Sequence, residues 1–210
     1  MQLLFAQKSP YSRRARLAVR LSGLLDRVEE ISISPGPAGL AAVPWVTNYT
    51  DVTTLVDQGP AAKVPVLVTD SGIGLCESMV IAHYLNNLSG GSLYPSGTNA
   101  LEQELRIEGL AAALMDSLFI HARENRREIT LRSEDIRDIE LNRTNRLLDA
   151  LNALIDDINA HHLGGLTLAC GLAYADWRHS GQGWHEGRRP LATWFKETCA
   201  MPSYAEVFNA

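Results

Sequence analysis

Cysteine is scarce in this chain. Cys76, Cys170 and Cys199 form an odd, scattered set with no C-x-x-C pair in 210 residues, which argues against both a disulfide framework and a zinc site and leaves three free, mostly buried thiols as the expectation. Long apolar runs are also missing. No stretch approaches the roughly 20 residues needed to cross a bilayer. Met1 leads directly into a short strand-like segment rather than a charged stretch with an apolar core, so a cytoplasmic protein with no membrane partner is expected. Nor is there an excess of positive charge: 19 Lys and Arg stand against 24 Asp and Glu, and a net charge of -5 offers little attraction to a nucleic-acid backbone. What is present is an ordinary globular composition, 46% hydrophobic and 20% charged, sufficient for one large domain or two small ones.

Gln2 to Ala6 is short and apolar and stops at a polar, proline-containing stretch, Gln7 to Ser12, which reads as a buried strand running into a loop. From Arg13 the period changes. Leu17, Ala18, Leu21, Leu24 and Leu25 make the core stripe of an amphipathic helix, with Arg13, Arg16 and Arg20 on another face. Val28 to Ser34 alternates as a second strand, completing a β-α-β unit. Pro35 to Pro44 holds three prolines and two glycines and reads as loop, with a short irregular helix expected before Gly59. Val64 to Thr69 and Ile73 to Cys76 flank a Ser71-Gly72 turn as a hairpin, and Ser78 opens a helix carrying Ile81, Tyr84, Leu85 and Leu88 toward a core. The order is β-α-β, then β-β-α.

The Gly-, Ser- and Pro-rich stretch 89–98 reads as a linker between a domain of residues 1–88 and an all-helical domain of residues 99–210. In the second half, Leu101, Leu105, Leu110, Leu114, Met115, Leu118 and Phe119 form one apolar stripe, and Ile136, Ile139, Leu147, Leu148, Leu151, Leu154, Ile155 and Ile158 form another. Two helices this apolar are expected to pack together as in a bundle. Ser133 before Glu134-Asp135 is a fair N-cap, and Gly164-Gly165 is expected to end the second stripe. His121, His179, His185 and the pair His161-His162 lack metal-ligand spacing and read as surface or capping residues, so no metal is expected.

Four features, in this order and spacing, resemble the cytosolic glutathione transferase family across almost the whole chain. Ser9-Pro10-Tyr11-Ser12-Arg13-Arg14-Ala15-Arg16 looks like the catalytic segment of the bacterial serine-type members. Lys63-Val64-Pro65 is similar to the family's strand-opening Val-Pro with its cis peptide bond. Glu77-Ser78, followed by Ile81-Ala82-His83-Tyr84-Leu85, resembles the acidic-Ser pair and the helix after it. Leu166-Thr167-Leu168-Ala169, Tyr174, Asp176-Trp177-Arg178 and Met201-Pro202-Ser203-Tyr204 resemble the last helices. The resemblance implies an α+β/α architecture, a thioredoxin-like βαβ-ββα N-terminal domain followed by an all-α C-terminal domain. It also implies reduced glutathione as co-substrate and a homodimer.

Each piece carries a physical rationale. A hydroxyl at a helix N-terminus donates to a thiolate while the dipole behind it favours negative charge. Lowering a thiol pKa from about 8.5 by roughly two units needs about 2.7 kcal/mol, within reach of one charge-assisted hydrogen bond plus a dipole. Ser9 is the first candidate for that role and Ser12 the reserve, the plainer reading of Ser9 being an N-cap alone. The resemblance places glutathione against Lys63, Val64, Pro65, Glu77 and Ser78. Val64 would offer its main chain to the peptide, Glu77 would pair the α-ammonium, and the Ser78 hydroxyl with its helix amides would take the α-carboxylate. Tyr11, Met115, Phe119 and Trp177 are candidates for an electrophile pocket, with core packing as the alternative for the last three. The four arginines of the first helix are assigned to a solvated face, outside the site.

Two stretches depart from the family pattern. Where the family's sixth helix opens with Ser/Thr-x-x-Asp, Thr167 is followed three residues later by Cys170, so a shortened or shifted sixth helix and a weaker second domain are expected. Val46 to Asp57 is unlike the segment that covers the glycyl end of glutathione. A glutathione transferase acting on a small, apolar electrophile is the leading expectation, a non-catalytic binding or assembly module of the same fold its rival. A glutaredoxin- or omega-type oxidoreductase would need a cysteine where Ser9 or Ser12 stands.

Overall fold

Gln2–Phe5 (β1) lies at the centre of a four-stranded sheet of order β2-β1-β3-β4, pairing in parallel with Glu29–Ser32 (β2) and antiparallel with Val66–Val68 (β3). Gly74–Cys76 (β4) closes the edge as a hairpin on β3. The computed structural model describes residues 1–35 and 49–209. The loop expected at Pro35 to Pro44 lies, beyond Pro35, outside the described residues, as does the first part of the divergent Val46 to Asp57 stretch. The chain divides into two units, Met1–Ser92 and Leu93–Ala210.

In the first unit the side chains of β1 and β3 alternate between two buried layers. Leu4 and Val66 pack with Ile33, Tyr49 and with Leu55 of α2 (Thr53–Gln58). Leu3 and Leu67 point the other way, where α1 (Pro10–Leu21) and α3 (Ser78–Leu88) pack side by side with Leu17, Ala18, Ile81 and Leu85 buried. The strands are shorter than the alternation predicts. Val28 and Ile33 are buried just outside β2, and the Ile33 amide still donates to the Phe5 carbonyl at 2.7 Å, so the pattern extends past the strand ends.

The arginines of α1 correct the sequence reading. Arg13, Arg14 and Arg16 are only 7%, 4% and 5% exposed, so this is no solvated face. Glu30 of β2 accepts from Arg16 Nε at 3.0 Å and Arg20 Nη1 at 2.6 Å. Burial pushes the Glu30 carboxyl up, but the two guanidinium groups outweigh it and hold it below its usual range.

The second unit is helical: α4 (Thr98–Arg126), α5 (Glu134–Ala153), α6 (Leu163–Arg178), α7 (Arg189–Ala200) and α8 (Pro202–Phe208). Ser133 caps α5 as expected, accepting from the Ile136 amide at 3.2 Å. Both α5 and α6 pack against α4. The core seam differs from the apolar stripes. Leu101 and Leu105 of α4 and Ile136 and Ile139 of α5 are exposed, while Glu104, Glu108, Ser117 and His121 are buried. These polar residues have internal partners: Ser117 Oγ donates to Glu140 Oε2 at 2.7 Å, and Tyr94 Oη to Glu108 Oε2 at 2.6 Å. His121 and His179, expected as surface or capping residues, are buried and stacked with ring centroids 5.0 Å apart, and His179 stands at the C-cap of α6.

The sixth helix is shifted but not shortened. It runs 16 residues from Leu163, so Thr167 is not its cap but a fully buried residue in its second turn. Gly164-Gly165, expected to end the preceding stripe, form its first turn, and the stripe itself breaks after Ala153 into a 3-10 turn at Ile155–Asp157. No side chain of α6 caps it. The Gly164 amide instead donates to Glu104 Oε1 of α4 at 2.5 Å, with His162 Nδ1 3.5 Å from Glu104 Oε2. A Cβ on Gly165 would lie 2.1 Å from the Asn159 carbonyl oxygen, so the chain turns into this helix through space that only glycine leaves open.

Candidate functional site

Pro10 at the first helical position starts α1 with its φ preset, and Ser9 before it adopts the extended conformation of an N-cap. The Ser9 hydroxyl oxygen accepts from the Ser12 amide at 3.3 Å. Its own proton has no acceptor among the described residues, and the side chain is half-buried. Ser12 differs: it is fully buried and its Oγ accepts from the Ala6 amide at 3.2 Å, tying the end of β1 to α1. Tyr11, between them, is half-buried.

The Val64–Pro65 peptide bond is cis. Val64 is half-buried, and its main-chain N–H and C=O have no hydrogen-bond partner among the described residues. Pro65 is buried behind it and Lys63 exposed beside it. Glu77, immediately before α3, is exposed and held at φ 66, a left-handed conformation costing a non-glycine residue about 1 to 3 kcal/mol. Because α3 has no capping side chain, the amides of Ser78, Met79 and Val80 are left without a partner among the described residues. An anion is the natural occupant of such a helix end.

Behind that helix end stands a residue the sequence reading left out. Arg14 donates to Ser78 Oγ from Nε at 3.2 Å and from Nη2 at 2.7 Å, and both residues are buried. The signal was present in the periodicity. Arg14 lies three and four residues before Leu17 and Ala18, on the core stripe itself.

The candidates of the second unit separate. Met115 is fully buried against Gly171 and belongs to the core. Phe119 is half-buried and Trp177 is 39% exposed. Both meet Tyr174, at centroid distances of 6.2 and 5.8 Å.

A thioredoxin-like domain followed by a helical domain, with a serine-capped first helix, a cis-proline strand and an uncapped helix after an acidic-Ser pair, is the arrangement of the glutathione transferase fold, and the known proteins similar to this chain are of that kind. Residues 8–88 match the family model of the glutathione S-transferase N-terminal domain. Two structures of a glutathione transferase family member from Pseudomonas fluorescens Pf-5 are similar over nearly the full length. The form with bound glutathione is 27% identical with a TM-score of 0.85, covering 98% of this chain and 97% of that one. The form with S-(propanoic acid)-glutathione is 26% identical with a TM-score of 0.82, covering 99% and 98%. The uncharacterized GST-like protein YibF of Escherichia coli K12 is 28% identical over 153 residues, 70% of this chain and 76% of that protein.

Proposed function

We propose that the protein is a glutathione transferase that binds reduced glutathione on its first unit and conjugates it to a small electrophile. The carrying observation is Ser9, a hydroxyl with an uncommitted proton at the N-terminus of α1, where donor and helix dipole both favour a thiolate. Ser9 rather than the reserve Ser12 takes this role, since the Ser12 hydroxyl accepts from the Ala6 amide where it ties β1 to α1, whereas Ser9 stands half-buried at the helix start. The free main chain of Val64 pairs with the cysteinyl backbone as an added strand, with Lys63 and Pro65 shaping that edge. The γ-glutamyl carboxylate takes the Ser78 hydroxyl and the amides of α3, and Glu77 takes its ammonium. The thiolate attacks an electrophilic carbon, a C–S bond forms and the leaving group departs with its electron pair, the thiol proton having passed to solvent. Relatives with glutathione and an S-substituted glutathione bound support this reading.

Exposed Ile73 and Val80 in the first unit, and Leu101 and Leu105 in the second, support self-association as a homodimer. Sedimentation at micromolar concentration checks this. For the function, retention on immobilised glutathione and conjugation of 1-chloro-2,4-dinitrobenzene are measured for the parent and Ser9→Ala. The expected outcome is retention of both on the resin, with kcat/KM of the variant down about 10- to 1000-fold, as for loss of one charge-stabilising donor. Binding without turnover in the parent identifies a non-catalytic module instead.

A further inference from the structure

A hollow of about 330 Å³ lies wholly within the second unit. One wall is the 3-10 turn Ile155–Asp157 with the residues that follow it, and the other is the C-terminal half of α7, which packs on that turn. The first wall is fixed from within. The Tyr204 hydroxyl donates to the Ala160 carbonyl, and Asn159 Oδ1 accepts from the His161 amide at 2.9 Å. A preformed space of this size falls in the range of small-molecule sites.

Its chemistry is that of a cation site. Asp156 and Asp157 stand on the first wall and Glu197 on the second, and none of these carboxylates has a partner among the described residues. No lysine or arginine lines the hollow, and His161 is the one basic side chain there. Helix α7 ends at Ala200 with no basic residue in its last turn, so the negative end of its dipole adds to the field. Thr198, in that turn, is a second and separate sign of a ligand. It is 1% exposed and lines the hollow, and its hydroxyl has no hydrogen-bond partner among the described residues. A buried hydroxyl is costly to leave unpaired, and an ammonium group supplies the donor it lacks.

The lining also tells one kind of cation from another. Among the described residues no group of three or more His, Cys, Asp and Glu side chains could hold a metal ion, so the charge is spread along the hollow rather than focused on a point. Trp194 is half-buried in the lining, with no other ring or cation over it among the described residues, and Met201 stands beside the same space. An indole ring and a thioether take methylene groups and the flank of an ammonium. One ammonium on an exposed carboxylate gains little, whereas several on one flexible chain engage both walls together.

We propose that this hollow binds an aliphatic polyamine, its ammonium groups on Asp156, Asp157, Glu197 and the Thr198 hydroxyl and its methylenes along Trp194 and Met201. The site lies in one unit and needs no glutathione, so it stands or falls apart from the transferase reading. Spermidine is titrated into the whole protein by calorimetry at physiological ionic strength, without glutathione, beside n-butylamine and magnesium chloride.

One saturable spermidine site per chain is expected, about tenfold or more tighter than either comparison cation. Asp156→Asn/Asp157→Asn/Glu197→Gln, all at exposed positions, should weaken it about tenfold or more, and Trp194→Leu and Thr198→Val about three- to tenfold each. Glu102→Gln/Glu128→Gln/Asp138→Asn removes the same charge from exposed positions elsewhere on the unit and should leave the affinity within about twofold. Circular dichroism checks that each variant is folded, and if Thr198→Val or Trp194→Leu unfolds, the carboxylate variant decides. A parent without a saturable spermidine site, or one that binds butylamine or magnesium as tightly, overturns the proposal. Undiminished binding by the carboxylate variant overturns it as well, and so does an equal loss in the control variant, which would reduce the effect to general surface charge.

Discussion

Arg14 and Ser78, 64 residues apart, are joined by two hydrogen bonds that end on one oxygen. A hydroxyl oxygen accepts about two such bonds, so the guanidinium uses up its acceptor capacity and leaves Ser78 only its proton to offer. A donor-only serine with a buried cation behind it is selective for an anionic ligand group.

Replacing Arg14 by Leu is therefore expected to weaken reduced glutathione by about 10- to 100-fold, equivalent to about 1.5 to 3 kcal/mol for a hydrogen bond to a charged group. Arg14→Lys, which keeps the charge but loses the fork, should recover part of this. Titration calorimetry checks it, and unchanged affinity in the leucine variant would show that Ser78 needs no support.

The carboxylate that receives the Gly164 amide gives the second unit a pH signature. Burial raises the Glu104 pKa to about 7, the Gly164 amide pulls it down and Glu108 raises it further. A folded value above the unfolded one means that the stability it contributes is complete below about pH 4.5 and is lost as pH rises through about 7. The loss amounts to about 3 kcal/mol at most. Glu104→Gln, which keeps an acceptor for Gly164, is expected to flatten the fall in urea stability between pH 5 and 8.

His179 sets the opposite slope. The Leu118 carbonyl can only accept, so His179 Nε2, 3.0 Å away, carries the proton and Nδ1 stays bare in a buried position. Burial, with His121 and Arg178 adding to it, lowers the pKa to about 4. Stability from the neutral ring is complete above about pH 6.5 and is lost as pH falls through about 4. In His179→Gln the acid unfolding midpoint should move to lower pH, as followed by circular dichroism.

Gly165→Ala places a methyl group 2.1 Å from the Asn159 carbonyl oxygen, a backbone atom that cannot swing aside. Overpacking of this kind costs about 1 to 3 kcal/mol or more. A fall of several degrees in Tm is expected, against little change for alanine at Gly109, where nothing lies within 4 Å of the added methyl group.

Much of the first unit was legible because its signals are local. Ser9-Pro10 marks a helix start by its own chemistry, Val64-Pro65 a bounded strand, and Ser71-Gly72 a turn whose glycine takes φ 79. Arg14 escaped because charge was allowed to outvote position: its spacing put it in the core, where a hydroxyl 64 residues away receives it. The same bias misplaced His121 and passed over Glu104 and Glu108, all of them buried on α4 while Leu101 and Leu105 of the expected stripe are exposed. The start of α6 was illegible for a different reason. Its first turn reads His162-Leu163-Gly164-Gly165, with no hydroxyl or carboxylate to announce it, and the acceptor sits on another helix.

That borrowed acceptor bears on the order in which the second unit assembles. A helix with its cap in its own first turn is stabilised by neighbouring residues alone, whereas α6 receives this contact only after the chain has come back to α4 from 60 residues away in sequence. Two glycines in its first turn weaken the isolated segment further. Helix α6 is thus expected to consolidate late, on a surface α4 has already built, so that Glu104 substitutions slow refolding less than they speed unfolding.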